Sequence, residues 1–517
     1  MGTKGGMSTG PVTVCEHRSM GGIAATWLRT TVIGLAVLVF GAACTASGEG
    51  PDRVVPDPAG EAVERGGSSG ANSLPGAVRT EAIRTHLQRL QSIADANGGT
   101  RAAGTSGYDA SALYVGQTLM DAGYDVEYQR FDFPAFIELG PAELRPLGRD
   151  ARSLGARVDF APLYYSPAGR VVGRVVPIDL QLGASQSTSG CESSDFADFP
   201  PGAIALVQRA ANCFSRDQVA NSEAAGATAV IVFPQEEVPG DPPVVTTLTP
   251  TSGVSIPAIG TTYSVGESLA TGAPGRVRLR VRAKQEQRTT MNVIADSRSG
   301  DPNDIVMLGG HLDSVVLGPG INDNGSGTAT ILEIARQLKG KRIDNRVRFA
   351  FWGAEELGLL GSFHYTDGLD PAAREAIAAY LNFDMLGSPN YIRMVYDGRR
   401  SGSSDVEGSI AIQRLFQQYF RSKDLDVLVS DFVTNRSDQT GFALAGIPVG
   451  GLFSGADGIK TNSEQASFGG ETGARHDGCY HLACDDITNI DGEILGQMAD
   501  AAAYATAILV TDRSPLE

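Results

Sequence analysis

The stretch from Ile305 to Gly327 decides the fold. It reads Ile-Val-Met-Leu-Gly-Gly-His-Leu-Asp-Ser, then a turn containing Gly and Pro, then Asn-Asp-Asn-Gly-Ser-Gly. An apolar run ends at His311, Asp323 lies in the polar loop, and helical spacing of apolar residues follows from Thr328 to Lys339. Because ligands bind beyond the carboxyl ends of strands in open α/β sheets, His311 and Asp323 are candidate metal ligands. Alone, the pattern is more typical of a polar loop that caps a helix.

Later strand-like runs end in the same kinds of side chain. Residues 346–352 come shortly before two glutamates, residues 379–383 come directly before an aspartate, and a second histidine lies near the C-terminus. The candidate ligands are two histidines, two aspartates and one of two adjacent glutamates, in the set His311, Asp323, Glu355 or Glu356, Asp384 and His481. Carboxylate oxygens and imidazole nitrogens suit zinc. Five ligands exceed the need of one tetrahedral zinc with an open position, so the set predicts two zinc ions that share a bridging carboxylate.

Length and charge exclude some classes of protein. The 517 residues suggest more than one domain, and the hydrophobic content of 42% and charged content of 20% are ordinary for globular proteins. The net charge of −17 argues against a surface for nucleic acid or for an anionic membrane. Neither property identifies a substrate.

The N-terminal region predicts export. Residues 1–44 are interpreted as a signal peptide, since the uncharged apolar run 30–43 follows Arg29 and has the length of its hydrophobic region. Small residues before Cys44 resemble a bacterial lipoprotein signal, which predicts lipidation of Cys44 and attachment to the outer face of the cell membrane. Ordinary secretion, with cleavage near Ala43, is the alternative. Residues 45–75 are rich in Gly, Pro, Ser and charge, which is typical of a flexible linker.

The remaining chain predicts an α/β domain interrupted by an insertion. Residues 76–136 and 286–517 carry the α/β pattern. Within the first piece, residues 101–108 predict a loop and residues 110–122 a helix. Residues 137–285 predict short strands between Gly/Pro turns, and they contain no histidine. This segment resembles a protease-associated domain on two motifs, residues 202–207 and 224–232, and a contiguous block of this kind is typical of a domain insertion.

Four cysteines lie outside the signal region, namely Cys191, Cys213, Cys479 and Cys484. In an exported protein they favour disulfides, and the sequence allows three pairings. We predict Cys191–Cys213 inside the insertion and Cys479–Cys484 beside His481. Cys484 as a free buried thiol or a zinc ligand is the alternative.

Taken as a set, the motifs resemble the double-zinc bacterial aminopeptidases. They are Gly310-His-Leu-Asp-Ser314, Gly320-Ile-Asn-Asp-Asn-Gly-Ser-Gly327, Ala354-Glu-Glu-Leu-Gly-Leu-Leu-Gly-Ser362, Asn382-Phe-Asp-Met385 and Cys479-Tyr-His481. With the insertion, the chain from about Thr80 to Val510 resembles exported enzymes of the aminopeptidase Y type. This resemblance implies a mixed central β-sheet covered by helices.

The resemblance also implies a role for each ligand position. Asp323 would bridge the two zinc ions, with His311 and Asp384 completing one site and Glu356 and His481 the other. Such a site lowers the pKa of a water molecule and polarises the scissile carbonyl. Glu355 would be the general base that takes a proton from water and passes it to the leaving amine. The alternative for the glutamate pair is a solvated helix start.

Further positions would support the chemistry and bind the substrate. The resemblance implies that Asp313 hydrogen-bonds to His311 and fixes its tautomer, and that Tyr480 donates to the oxyanion. Arg436 falls on a family position at the mouth of the site. Met385 and Phe453 match apolar lining positions, which predicts a preference for Leu-, Met- or Phe-like first residues. The substrate's free α-amine would lie between two carboxylates, Glu355 and Asp384.

The sequence therefore predicts a zinc aminopeptidase acting on peptides with a free N-terminus. Two alternatives remain: a related metallo-exopeptidase or glutaminyl cyclase on the same fold, and a non-catalytic peptide-binding protein on a peptidase scaffold. We expect no nucleic-acid partner, a membrane contact only through the lipid anchor, and a monomer. Calcium dependence is left open.

Overall fold

The computed structural model describes residues 71–148, 153–183, 187–210, 213–237, 243–250, 253–272, 275–430, 436–512 and 514–516. The predicted signal peptide, Cys44 and the linker up to residue 70 lie outside the described residues. Within the described ranges, no helix is both long enough and apolar enough to cross a membrane.

The helices and strands alternate along most of the chain. The α-helices are α1 Thr80–Ala96, α2 Ser106–Ala122, α3 Ser215–Ala224, α4 Tyr263–Thr271, α5 Gly327–Leu338, α6 Leu360–Asp367, α7 Pro371–Glu375, α8 Val406–Ser422, α9 Gln439–Leu444, α10 Asn462–Phe468 and α11 Gly492–Leu509. The strands are β1 Asp125–Glu138, β2 Glu143–Leu147, β3 Phe160–Pro162, β4 Gly169–Pro177, β5 Ile204–Gln208, β6 Ala229–Phe233, β7 Ala258–Thr261, β8 Arg276–Val281, β9 Ala283–Asp296, β10 Asp301–His311, β11 Asn345–Trp352, β12 Ile377–Phe383, β13 Met394–Tyr396, β14 Leu428–Ser430 and β15 Val449–Phe453.

The larger sheet is mixed, as the resemblance implied. Its eight strands lie in the order β1-β9-β11-β10-β12-β15-β13-β14. The central strands β11, β10, β12 and β15 run parallel, and β9 runs antiparallel to both of its neighbours. Strand β13 runs antiparallel to β15 but parallel to β14. A central strand such as β10 is buried at every residue from Ile305 to His311, which explains its continuous apolar run. Helices α1, α2, α5, α8 and α11 contribute buried residues to the core that covers this sheet.

The insertion leaves and re-enters the larger sheet at one place. Strands β1 and β9 pair antiparallel along their whole length, from Asp125 opposite Asp296 to Glu138 opposite Ala283. The part of the chain that lies between β1 and β9 in sequence forms a second, seven-stranded sheet in the order β2-β8-β4-β5-β6-β7-β3. Its apolar residues form cores of their own on the sheet faces. The predicted β-rich insertion is therefore present.

One local prediction is wrong. Residues 101–108 were predicted as a loop and the next helix from residue 110, but α2 begins at Ser106. The side chain of Thr105 accepts a hydrogen bond from the Tyr108 backbone N–H and caps the helix. Tyr108 is buried and donates to the Met291 carbonyl, so tertiary packing extends the helix beyond its apolar period.

Candidate metal centre

The five candidate ligands converge at one edge of the larger sheet. His311 ends β10, Asp384 directly follows β12, and Glu356 lies shortly beyond β11. Because these strands are parallel neighbours, their carboxyl ends meet at the same edge. Asp323 comes from the loop between β10 and α5, and His481 from the loop before α11.

Asp323 lies between the two histidines. Its Oδ1 is 3.1 Å from Nε2 of His311, which is also 3.4 Å from Oδ1 of Asp384. Its Oδ2 is 3.2 Å from Nε2 of His481, which is also 3.0 Å from Oε2 of Glu356. The ligand atoms thus form two groups of three that share Asp323.

The distances and the unpaired oxygens both fit metal ions. In a tetrahedral zinc site with ligand bonds of about 2.0–2.2 Å, neighbouring ligand atoms lie about 3.3–3.6 Å apart, close to the separations above. Among the described residues, Oε1 of Glu356 and Oδ1 of Asp384 are buried without a hydrogen-bond partner. Buried unpaired carboxylate oxygens are costly, and a cation would satisfy them. Nitrogen and carboxylate donors are the set that zinc takes.

The charges of the ligand side chains influence one another strongly. Burial opposes a charged His311, but the carboxylates of Glu355 and Asp384 raise its pKa well above the ordinary value. Burial likewise opposes a charged His481, and Glu356 raises its pKa well above the ordinary value. Burial would raise the pKa of Asp323, yet hydrogen bonds from the two histidines lower it. Metal binding would replace the Nε2 proton of each imidazole, since histidine binds metals in its neutral form.

Glu355 lies beside the two groups without belonging to either. Its Oε2 is 3.9 Å from Nε2 of His311, and it lines the same pocket as the five ligands. Burial raises the pKa of Glu355 well above its ordinary range, and nearby carboxylates add to the shift. A carboxyl group with a raised pKa is suited to accept and return a proton near neutral pH.

Asp313 contacts His311 through its backbone. The Nδ1 of His311 lies 3.1 Å from the backbone carbonyl of Asp313, whereas the Asp313 carboxylate is 3.8 Å away. That carboxylate instead accepts a hydrogen bond of 3.1 Å from the Glu355 backbone N–H. The expected hydrogen bond between Asp313 and His311 is therefore present, but it is made by the backbone carbonyl, because the turn after β10 brings the carbonyl closer than the carboxylate. The carbonyl places the His311 proton on Nδ1, and the carboxylate holds the glutamate loop.

The predicted substrate-binding residues line the same pocket as the ligands. They are Met385, Arg436, Phe453 and Tyr480. Met385 and Phe453 are buried within an apolar cluster that includes Met394 and Ala456. The ring of Tyr480 stacks on that of His481 with centroids 3.8 Å apart. The segment 431–435, which precedes Arg436, lies outside the described residues.

Arg436 is paired with an acid at the rim of the pocket. Its Nη2 lies 3.3 Å from Oδ1 of Asp457, and the other oxygen of Asp457 lies 2.9 Å from Nη1 of Arg209. Burial opposes a charged Asp457, but Arg436 and Arg209 lower its pKa below the ordinary value. Arg209 follows β5 of the insertion, so the insertion reaches the rim. No sequence signal connects Arg209 with Asp457, since this contact joins residues far apart in the chain.

Sequence reasoning also missed the residues that hold the ligand loops. The side chain of Arg101 is fully buried and donates to the backbone carbonyls of Leu312, Pro319 and Gly320. Arg101 therefore joins the turn after β10 to the start of the Asp323 loop. Its position in a Gly/Thr-rich segment carried no signal of this role.

Two further polar side chains hold individual ligands. Asp485 accepts hydrogen bonds of 2.8 and 3.0 Å from the backbone N–H groups of Asn322 and Asp323. Ser437 donates a hydrogen bond of 2.6 Å to Oδ2 of Asp384. Ser437 and Asp485 each directly follow a predicted site residue, Arg436 and Cys484, and this was the only sequence signal for them. It did not show which groups they would hydrogen-bond to.

Glycines allow the strands and the loop to approach closely. A Cβ at Gly310, just before His311, would lie 2.6 Å from the carbonyl oxygen of Phe383. A Cβ at Gly327, the first residue of α5, would lie 2.2 Å from the same oxygen. Only glycine fits at these contacts, which bring His311 and the Asp323 loop against the end of β12.

Both predicted disulfides are formed. Cys191 is bonded to Cys213 within the insertion, and Cys479 is bonded to Cys484. The second bond closes a short loop that carries Tyr480 and His481. His481 has a left-handed backbone with φ of 61°. Such a conformation persists only where the surrounding structure holds it, and the closed loop helps to hold it here.

Comparison with known proteins identifies the family. The model of peptidase family M28 matches residues 292–506, and the PA-domain model matches residues 171–269. An aminopeptidase of Pseudomonas aeruginosa is 44% identical over 442 residues, which cover 84% of this chain and 82% of the relative. A probable lipoprotein aminopeptidase of Mycobacterium tuberculosis is 40% identical over 458 residues, covering 86% of this chain and 87% of the relative.

A solved structure supports the same assignment. A zinc aminopeptidase from Bacillus subtilis, 26% identical, aligns with a TM-score of 0.61 over 84% of this chain and 96% of its own. The chain belongs to peptidase family M28 and carries a PA domain. It is a metallo-aminopeptidase, a hydrolase. This identification favours the aminopeptidase prediction over the glutaminyl cyclase and the non-catalytic binding protein.

Proposed function

We propose that this enzyme is exported, uses two zinc ions that share Asp323, and releases large apolar residues from free N-termini. One observation carries the two-zinc proposal: Asp323 presents one carboxylate oxygen to each histidine, at 3.1 and 3.2 Å. A carboxylate that serves one ion would leave its second oxygen to other donors. Here the second oxygen lies beside His481, which forms a second group of metal-ligand atoms with Glu356.

The proposed ligands are two sets of three residues. His311, Asp323 and Asp384 would hold one ion, and Asp323, Glu356 and His481 the other. When bound, zinc supplies Lewis-acid polarisation of the scissile carbonyl and lowers the pKa of water. In this proposal Asp313 and Asp485 are positioning residues, since one holds the Glu355 backbone and the other the Asp323 loop.

The proton transfers belong to Glu355. Its carboxylate takes a proton from the attacking water and later gives it to the leaving amine. Burial raises the pKa of Glu355, which makes its carboxylate a stronger proton acceptor than an exposed one. Tyr480, which lines the same pocket, is proposed to donate its O–H to the oxyanion of the tetrahedral intermediate.

The pocket supports recognition of a free N-terminus and an apolar side chain. Glu355 and Asp384 line it together and supply negative charge for the substrate's α-ammonium group. Met385, Phe453 and Ala456 supply an apolar wall for the first side chain. The wall suits a leucine-, methionine- or phenylalanine-like residue, because apolar surface is buried on both sides of the contact.

Export and the domain boundaries are also proposals. Cys44 as a lipidated N-terminus is supported by the sequence around it and by the Mycobacterium relative, which is described as a probable lipoprotein. We propose the divisions 1–44 signal peptide, 45–75 linker, 76–136 and 286–517 peptidase domain, and 137–285 PA domain. We propose that the enzyme acts as a monomer.

Comparing a free peptide with its acetylated form tests the direction of cleavage. We expect rapid release of leucine from a peptide that begins with a free leucine, and at least a hundredfold slower release once that leucine is acetylated. Acetylation removes the positive charge that Glu355 and Asp384 would bind. The two rates are measured by mass spectrometry on the same zinc-loaded enzyme. Efficient cleavage of the acetylated peptide would contradict the proposal and point to an endopeptidase.

Replacing Arg436 tests its role at the rim of the pocket. We expect Arg436→Ala to lower kcat/KM about tenfold for a leucyl peptide while zinc content stays unchanged, because Arg436 lines the pocket without being a ligand. Zinc per chain is measured by mass spectrometry beside the kinetics. Arg342→Ala, a change of an exposed arginine on the loop after α5, is the matched control and should leave kcat/KM unaltered. Unchanged kinetics in Arg436→Ala would assign Arg436 to a surface ion pair only.

A further inference from the structure

The PA domain carries a concentration of arginines on one face of its sheet. Side chains of a strand point alternately to opposite faces. On β8, Val277, Leu279 and Val281 are buried in the domain core, and the alternate residues face outward. The neighbouring strands β2 and β4 follow the same alternation. The outward arginines, here called the arginine face, are Arg145, Arg170, Arg174, Arg276, Arg278 and Arg280.

The arrangement of these arginines is unfavourable for the isolated sheet. In the strand register, arginine lies directly opposite arginine in three pairs: Arg145 with Arg278, Arg170 with Arg280, and Arg174 with Arg276. Like charges directly opposite each other destabilise a sheet. Glu143 lies on the same face, 3.5 Å from Arg278, and offsets one charge. An anionic partner would neutralise the rest.

The face also exposes apolar side chains among the charges. Val172 lies opposite Arg278 and is 40% exposed, and Leu147 lies opposite Arg276 and is 37% exposed. Binding to a membrane interface combines buried apolar area with attraction to anionic lipids, and this face offers both exposed apolar side chains and positive charge. A nucleic acid or an acidic polysaccharide would pair with the arginines, but it offers no apolar layer for Val172 and Leu147.

The chemistry of the face therefore favours phospholipid. The guanidinium group binds a phosphate through two parallel hydrogen bonds, and a three-stranded sheet face presents its arginines side by side to a planar surface. We propose that the arginine face docks on an anionic phospholipid membrane, with phosphate contacts from the arginines and shallow insertion of Leu147 and Val172. This proposal is independent of the catalytic assignment.

The arginine face differs in charge from the chain as a whole. The value of −17 predicted no affinity for an anionic membrane. That value averages over the whole chain, whereas membrane attraction falls off within about 10 Å and so depends on the charges nearest the surface. The acidic remainder would be repelled, and the arginine face would set the orientation of the enzyme on the membrane.

Vesicle binding of the full chain tests the proposal. All proteins carry Cys44→Ser, so that acylation contributes to none of them. They are sedimented with vesicles of one part phosphatidylglycerol to three parts phosphatidylcholine. Each arginine near an anionic surface changes the partition coefficient about fivefold, so Arg174→Gln/Arg276→Gln/Arg280→Gln should lower it about a hundredfold. Raising NaCl from about 0.05 M to about 0.5 M should release the parent protein.

A matched variant separates this face from general charge. Arg342→Gln/Arg374→Gln/Arg414→Gln removes the same charge from exposed positions outside the PA domain and should keep vesicle binding within about twofold. Hydrolysis of a leucyl peptide by both variants shows that they are folded. Equal binding by the parent and the arginine-face variant, or an equal loss in the control, would overturn the proposal. So would retention on DNA or heparin at a salt concentration at which vesicles are not bound.

Discussion

Glu355→Gln should lose about a thousandfold in kcat while it keeps its full zinc content. A carboxamide has nearly the shape of the carboxylate, but it cannot accept the proton of the attacking water, and positioned general bases contribute about two to four orders of magnitude. Zinc should stay because Glu355 lies in neither group of ligand atoms. Turnover of a leucyl peptide and metal content by mass spectrometry are measured on the same preparation.

The control for this variant makes the same chemical change elsewhere. Glu375 is exposed on α7, and Glu375→Gln should match the parent enzyme in both measurements. Near-normal turnover in Glu355→Gln would remove Glu355 from the proposed proton transfers. Loss of metal in that variant would instead make Glu355 a ligand, and the assignment of the neighbouring Glu356 would need revision.

Asp323→Ala should lose both zinc ions, whereas His481→Ala should lose one. Without Asp323 each ion would keep only two protein ligands, His311 with Asp384 and Glu356 with His481. Removing His481 leaves the first group complete. Tetrahedral catalytic zinc is held by three protein ligands, so two should not retain it. Zinc per chain, measured after dialysis, should fall from about two to near zero in the first variant and to about one in the second.

The aspartate change has its own control. Asp132 hydrogen-bonds to Thr289 at an exposed position of β1, and Asp132→Ala should retain the parent's zinc. Circular dichroism distinguishes metal loss from unfolding in every variant. If Asp323→Ala kept one ion, Asp323 would belong to a single site and the shared-carboxylate proposal would fail.

The ends of the strands were predictable because burial leaves a clear signal. The continuous apolar runs of β10 and β12 mark central strands, and each ends at or just before a ligand, His311 or Asp384. Parallel neighbours in a sheet share an edge, so the strand pattern also implied that the ligands would meet. The mixed sheet itself came from the family resemblance.

The supporting contacts could not be predicted because they depend on loop conformation. Nothing in the local sequence shows that the carbonyl of Asp313, rather than its carboxylate, reaches His311. The buried Arg101 binds carbonyls more than two hundred positions away in the chain. Arg209 contacts Asp457 across the boundary between two domains. Such pairs form only after the elements are packed, and they carry no periodicity.

The paired strands β1 and β9 affect the order in which the chain can fold. Residues 139–282 separate them, and closing a flexible loop of that length costs about 4 kcal/mol of entropy. A folded insertion already holds Glu138 and Ala283 next to each other, so most of this cost is met before the strands pair. Contacts between residues so distant in sequence otherwise slow folding. Early folding of the insertion would therefore accelerate completion of the catalytic sheet, whichever molecules the insertion later contacts.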